Sequence, residues 1–434
     1  MTRQKHLKQL VRERMQKTGE RYASARRHVV AAHQPALDPA AKSHLPGSVP
    51  LATALRVLLT HAGITASGGA PLSEALTFGL AGGIGAGVFA FHYEKEDFSS
   101  FYVAGTHLWQ DPVACVTAAC KRLGLAPEIR EFGGAGPAEK GLAAWAAEGP
   151  VLAWVDMGHL PHRGMPPSMS GGGYHQVVVY RAEPGGEALI GDLADAPIPL
   201  PTKVLTETRG RIKKDKFRIL RLPQPTRAPD LGKALAAGLQ AGAEALTRGR
   251  IKNFTIAAFG TWADQLHGAK AKDSWDTVFP AGKHLWTGLT SIHEFVEYYG
   301  TGGGLARPLF AEALGEAAAL LRKPALAKLG ADYARLGESW TELAEAALPE
   351  GVALFDEARK LHARRAELVL SGPEGAEDAA AVWRRLAELA RQATGRFPLP
   401  PSDAIALRQE LQHRVRSIHA EEARLAALLQ AACQ

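Results

Sequence analysis

Three cysteines in 434 residues are too few and too irregularly spaced for a disulfide framework or a thiolate metal cluster. Cys115, Cys120 and Cys433 fit a reducing, cytoplasmic compartment. Long apolar runs are missing too. The longest weakly apolar stretch, between Ser73 and Tyr93, is broken by Gly79, Gly82, Gly83, Gly85 and Gly87, so no membrane span is expected. The N-terminus has no apolar core of the kind a secretion signal requires, so none is expected. No repeat of fixed period occurs, which excludes a solenoid. The run Gly83-Ile84-Gly85-Ala86-Gly87 lacks the trailing Gly-Lys-Ser/Thr of a phosphate loop. No metal or cofactor is expected.

What is present is an ordinary globular composition, 46% apolar and 22% charged, enough to bury a core. The formal net charge of +7 is concentrated at one end. Residues 1–30 hold nine basic residues against two acids, and the remainder holds 42 of each, so the main body is neutral. The basic segment is a candidate contact for an anionic partner.

Pattern divides the chain into four parts: a basic helical segment over 1–33, a proline-bearing linker over 34–47, a mixed domain over 48–222 and a helical domain over 231–434. Leu7, Leu10, Val11 and Met15 have helical spacing, and a second short helix is expected over 23–30. A stronger helix start follows at Ser48, an N-cap type, with Pro50 in the first turn and an apolar stripe of Leu51, Leu55, Leu58 and Leu59. Another helix is expected from Asp111-Pro112 to Gly124. Strands are expected at Val151–Val155, His175–Tyr180 and Ala188–Ile190, the last two joined by the turn Glu183-Pro184-Gly185-Gly186-Glu187. The run Val177-Val178-Val179 marks a central strand covered on both faces. Beyond the proline-rich segment 221–230, alanine and leucine dominate. Helices are expected near 231–248, 252–267, 284–299, 306–321, 326–346, 350–369, 376–393 and 402–431. The fold class is α+β, with helices and an antiparallel sheet first and an all-α domain after it.

The hairpin carries the candidate chemistry. A turn centred near residue 184 or 185 puts His175 and Asp192 within about two residues of direct opposition, close enough for a carboxylate to orient an imidazole. An acid on one ring nitrogen leaves the other as a general base. A nucleophile belongs at a helix N-terminus, where the dipole and free amides stabilise an anion. The helix from Ser48 holds no cysteine, and Ser48 is the hydroxyl at its start. Asp156, at the end of a strand, fits either a pocket wall attracting an amine or a turn cap. His293 and Glu297, four apart, read as a partly exposed polar face. Cys115, among Val113, Ala114 and Val116, reads as a buried structural thiol.

Several blocks carry a resemblance. They are Leu55-Arg56-Val57-Leu58-Leu59, Glu74-Ala75-Leu76-Thr77-Phe78-Gly79-Leu80-Ala81-Gly82-Gly83, Gly149–His162, and Gly173-Tyr174-His175-Gln176-Val177-Val178-Val179-Tyr180 with Gly191-Asp192. Together they resemble the N-terminal domain family of butirosin biosynthesis protein H. Thr301-Gly302-Gly303-Gly304-Leu305-Ala306-Arg307 resembles the helical domain that often follows it. The resemblance implies a papain-like fold and acyl transfer from a carrier-protein thioester to an amine. The expected partners are then an acyl carrier protein and a small-molecule acyl acceptor. It matches His175 and Asp192 to base and orienter, makes Gly82 and Gly83 either close backbone packing or a substrate-side wall, and places Tyr174 with Asp156 on the substrate side. The family cysteine is not matched: ungapped alignment puts Pro50 there, and a shift of two puts Ser48. The expected function is an acyltransferase or hydrolase with Ser48 as nucleophile. The alternative is an inactive relative that binds a ligand or a protein. The helical domain either seals the pocket or forms a homodimer.

Overall fold

The computed structural model describes residues 3–18, 25, 29, 41–107, 111–171, 173–269 and 272–433, with side chains from residue 9 onward. The expected helix over 23–30 and much of the 34–47 linker lie outside these residues. In chain order the elements begin with helices α1 (Arg3–Thr18), α2 (Pro50–His61) and α3 (Glu74–Leu80), then strands β1 (Ile84–Tyr93) and β2 (Phe98–Thr106). Next come α4 (Pro112–Arg122), β3 (Glu128–Arg130), α5 (Ala135–Ala146) and β4 (Val151–Asp156). Then follow β5 (Tyr174–Ala182), β6 (Glu187–Gly191), β7 (Ile198–Pro201), α6 (Thr202–Gly210) and β8 (Ile219–Arg221). The remaining elements are helices: α7 (Leu231–Arg248), α8 (Ala257–Gln265), α9 (Trp275–Val278), α10 (Lys283–Glu297), α11 (Arg307–Leu321), α12 (Pro324–Ala347), α13 (Ala353–Leu370), α14 (Ala376–Gly395) and α15 (Pro401–Cys433). The architecture is α+β, with antiparallel sheets before residue 222 and helices after it. Among the described residues no helix is long and apolar enough to cross a membrane.

Two compact units emerge. The first comprises Met1–Thr77, Leu123–Pro229 and Arg365–Arg384. Its six-stranded antiparallel sheet runs β3-β8-β4-β5-β6-β7. The valine run of β5 is buried throughout and flanked by β4 and β6, as a strand apolar on both faces requires. The β5–β6 register pairs Val178 with Gly191 and Val179 with Ile190, then shifts at a bulge to pair Ala182 with Ala188. Helices α2 and α5 pack on β5. The α2 stripe of Leu51, Leu55, Leu58 and Leu59 is fully buried, and each leucine contributes roughly 2 kcal/mol.

The second unit comprises Phe78–Arg122, Asp230–Arg364 and Arg385–Gln434. Its β1–β2 hairpin pairs Phe89 with Tyr102 and Tyr93 with Phe98. Phe101 is buried 5.1 Å from both Trp262 and Trp275. A buried arginine clamps the hairpin. Arg307 donates to the carbonyls of Gly85 (2.9 Å), Gly105 (3.0 Å) and Leu305 (2.8 Å), and its Nε donates to Glu422 Oε1 at 2.8 Å. Leu305 and Ala306 take positive φ, so the turn before α11 is strained to deliver the guanidinium.

The units differ from the limits expected from composition in two places. Residues 78–122 belong with the helices, because the Arg307 clamp and the aromatic core bind the hairpin there. Residues 365–384 belong with the sheet, where Asp195 N donates to Leu370 O at 3.3 Å. Strands β1 and β2 were not expected at all. Glycine obscures the pattern of β1, and apolar residues stand on both of its faces. The helix expected over 252–267 is a short 3-10 turn at Lys252–Phe254 followed by α8.

Candidate functional site

The start of α2 is built around a carboxylate. Val49, in extended conformation, precedes Pro50 at the first helical position and offers no side-chain cap. Ser48, expected as the N-cap, therefore stands one residue too early. Glu74, at the start of α3, supplies the acceptor instead. Its Oε1 takes the amides of Ser48 and Val49, both at 2.7 Å, and the Thr53 hydroxyl at 3.0 Å. Its Oε2 takes the Ser48 hydroxyl at 3.1 Å. A Cβ on Gly47 would lie 2.0 Å from Thr53 Oγ1, so only glycine lets the chain pass this close. Helix-start amides attract an anion, and here the anion is part of the protein.

Asp192 follows β6 directly and is buried, as is His175 on β5. His175 Nε2 lies 2.8 Å from Asp192 Oδ1 and 2.9 Å from Arg163 Nη2. Both contacts cannot be hydrogen bonds for one tautomer. The Arg163 hydrogens already reach Asp192, with Nη2 at 2.8 Å and Nε at 3.1 Å from Oδ2. We therefore assign the Nε2 proton to the bond with Asp192, which leaves the Nδ1 lone pair free of that network. His162 Nε2 completes the cluster 2.9 Å from Asp192 Oδ2. Burial alone would raise the Asp192 carboxyl, but Arg163, His175 and His162 together hold it well below the usual carboxylate range. Burial lowers the His175 imidazole. Asp192 opposes that, and the nearby Arg163 cation adds to it.

Asp156 ends β4 and closes the loop that delivers His162 and Arg163. Its Oδ1 accepts from Gly158 N at 3.1 Å and its Oδ2 from Gly171 N at 2.5 Å. Met157 N donates to Gly173 O at 2.8 Å across the same neck. Within the loop, Gly164 has φ +57°, and a Cβ there would meet Ala376 O at 2.6 Å. The loop is thus pinned at its neck and pressed on the start of α14.

A small pocket lies between α2 and the sheet. It is lined by Leu45, Pro50, Thr53, Ala54 and Val57 on one side and Gln176, Val178, Tyr180, Gly191 and Asp192 on the other. The helix start and the hairpin end therefore converge on one cavity. His44 supports the far wall, with Nδ1 2.9 Å from the Tyr180 hydroxyl and Nε2 3.2 Å from Ala194 O.

Residues 50–193 match the family model described as Butirosin biosynthesis protein H, N-terminal. Over these residues the chain is similar to that family. Residues 207–368 match a second model, described as Domain of unknown function (DUF4872). That match begins within α6 and supplies β8 to the first unit's sheet. No curated protein matches the chain.

The expected residues fall into three groups. His175 and Asp192 are in contact. Ser48 lies at the helix start and donates to Glu74, while His175 Nε2 bonds to Asp192 with Arg163 Nη2 beside it. The remaining four have other surroundings. Asp156 is fully buried in its loop neck. Tyr174 is 46% exposed, with Lys214 Nζ 3.9 Å from its ring centre. Gly82 and Gly83 belong to the second unit and serve close packing. A Cβ on Gly82 would lie 2.9 Å from Gly238 O, and one on Gly83 would lie 2.4 Å from the Phe78 ring.

Arg163, Glu74 and His44 were missed, whereas His162 was singled out by its place after the Asp156 strand. The only sequence signal of the missed residues is a His-Arg pair in a proline-flanked loop and an acid 26 residues beyond Ser48. Cys115 is buried as expected. Its Sγ lies 3.9 Å from His107 Nε2, and burial pushes the thiol up to about 12, which leaves it unreactive. His293 is buried rather than on an exposed face, and its Nδ1 donates to Ala344 O at 3.0 Å.

Proposed function

We propose that this chain holds a small acylated ligand in the pocket at the start of α2 and makes no covalent bond to it. The observation that carries this reading is the occupied helix start. Acyl transfer needs a nucleophile there and amides free to receive the oxyanion. Pro50 has neither a nucleophilic atom nor an N–H. The Ser48 and Val49 amides donate to the Glu74 carboxylate, whose charge would oppose an oxyanion at the same place. The Ser48 proton is directed to Glu74, and burial, opposed by Asp192 and aided by Arg163, disfavours the imidazolium that general-base catalysis by His175 would form. The lining is of the kind a short acyl chain needs, but the cavity, about 10 Å³, must widen to admit one. Leu45, Pro50, Ala54, Val57 and Val178 give apolar contact, and Thr53 and Gln176 offer hydrogen bonds.

One observation favours a second reading. With Nε2–H donating to Asp192, the Nδ1 of His175 has the electronic form of a general base. In that reading Ser48 leaves Glu74 and gives its proton to His175. It then attacks a carrier-bound thioester, the carrier thiol leaves with the proton from His175, and an amine acceptor takes the acyl group from Ser48 and frees its hydroxyl. Incubation with a short-chain acyl-pantetheine, followed by intact mass and thiol release, separates the two. The binding reading expects no adduct, no release, and saturable stabilisation that is lost in Val57→Trp. An acyl adduct mapped to Ser48 and absent in His175→Ala would overturn it in favour of the second.

A further inference from the structure

In an antiparallel hairpin with one face on the core, the other face is ordinarily polar. The β1–β2 hairpin breaks that pattern. Val88, Ser99, Phe101 and Val103 face the core and are buried. The opposite face carries Phe89, Phe91 and Tyr93 from β1 and Phe98 and Tyr102 from β2. Phe91 is 43% exposed, Tyr93 49% and Phe98 45%. The rings form one strip: Phe89–Phe91 at 6.4 Å, Phe91–Tyr93 at 6.5 Å and Tyr93–Phe98 at 6.1 Å, all stacked. Three aromatic side chains of roughly 150–250 Å² each, nearly half open, leave an apolar patch of about 200–350 Å². Residues 90–98 are exposed without a break, and among the described residues β1 pairs with β2 alone. The outer edge of β1 is thus open as well.

The strip has a charge at each end. At the Phe89 end the Phe254 ring lies 4.8 Å away, on a segment that exposes Arg248, Arg250 and Lys252 with no acid between residues 247 and 256. At the Tyr93 end stand Glu94, Lys95 and Glu96, all exposed and net negative, while Asp97 is held by Lys283 at 3.1 Å and His284 at 2.8 Å. Two copies laid face to face about a two-fold axis, strips antiparallel, bring the acidic tip of each to the basic end of the other. The uncharged rings then meet without repulsion.

We propose that the β1–β2 aromatic strip is the core of a two-fold interface with a second copy of this chain, its charged ends forming the rim. This does not depend on the pocket at α2.

Analytical ultracentrifugation of the full chain over a concentration series tests it. The wild type is expected to sediment as a reversible dimer. Combining Phe91→Ser, Tyr93→Ser and Phe98→Ser should raise the dissociation constant at least about thirtyfold. All three sites are solvent-facing, so circular dichroism should report an unchanged fold. Glu94→Lys with Glu96→Lys should weaken the dimer about tenfold, and adding Arg250→Glu with Lys252→Glu should restore it. Three results would overturn the proposal: a wild type that stays monomeric up to about 0.1 mM, a dimer indifferent to the serine substitutions, or a charge reversal that is not rescued. A monomer that instead co-sediments with lipid vesicles would also overturn it.

Discussion

Each unit sets an arginine against a buried carboxylate, and the two clusters are built differently. In the second unit, Glu422 Oε1 takes Arg307 Nε and Trp340 Nε1, both at 2.8 Å, and the rest of the guanidinium is satisfied by backbone carbonyls. That clamp contains no histidine. In the first unit, Asp192 is satisfied by side chains alone: Arg163, His162 and His175, two of them from one pinned loop. Arg307 and Glu422 are wholly inaccessible, whereas the Arg163 side chain is 11% exposed. The difference teaches that a buried charge held by carbonyls fastens a fold, whereas one held by imidazoles also makes it respond to protons. The pair resembling catalytic machinery belongs to the second kind.

The largest effect is expected at the clamp. Arg307→Ala removes every donor to Gly85, Gly105 and Leu305 and leaves Glu422 buried and uncompensated. The loss is expected at about 3–5 kcal/mol, and Arg163→Ala at the lower end of that range. Native-state hydrogen exchange locates each loss. The first should deprotect β1–β2 amides and the second β5–β6 amides. Equal loss in both units from either variant would remove the distinction.

The proton response comes next. Folding lowers the His175 pKa from its ordinary value of 6.5, so between that value and the folded value the unfolded chain binds more protons. Stability from this group is present above about pH 6.5 and is lost as pH falls through the folded pKa. Asp192 acts in the same direction in a lower window, since its pKa also falls on folding. Urea midpoints for the wild type should decline from pH 7.5 toward pH 5. His175→Gln should flatten that decline in β5–β6 exchange and leave β1–β2 exchange unchanged. An identical decline in both proteins would show that His175 does not carry it.

Much of this was legible in the sequence, for reasons that stop where contacts become non-local. The leucine stripe of α2, the valine run of β5 and the glycine-rich turn are local signals. Arithmetic about that turn brought His175 to Asp192, and the bulge in the hairpin did not undo it. Arg163 was hidden because its loop has no periodicity and returns to the site only through the two amide bonds of Asp156. Glu74 was hidden because a helix cap supplied from 26 residues away leaves no mark beside Ser48. The hairpin at 84–106 was hidden because its outward face is aromatic, so no clean alternation appears. Its place in the helical unit depends on Arg307, more than two hundred residues later.

The smallest effect bears most directly on function, because it asks what the helix start is for. If Glu74 is there to cap α2, its carboxylate matters and the Ser48 hydroxyl hardly does. Glu74→Ala strands the amides of Ser48 and Val49, while the Thr53 hydroxyl keeps the Val49 carbonyl at 2.9 Å, and the cost is about 2–3 kcal/mol. Glu74→Gln keeps one acceptor oxygen and should cost about half of that. Ser48→Ala removes the partly buried hydrogen bond to Glu74 and should cost under about 1 kcal/mol. Thermal and urea unfolding of the three variants give the order. If Ser48→Ala were as damaging as Glu74→Ala, the hydroxyl would be holding the helix start, and a serine so placed could not also leave to attack an acyl group. If the order is as expected, Ser48 is structurally dispensable. Acyl-pantetheine turnover by Glu74→Gln then becomes the sharpest probe of whether the carboxylate is what keeps this site from chemistry.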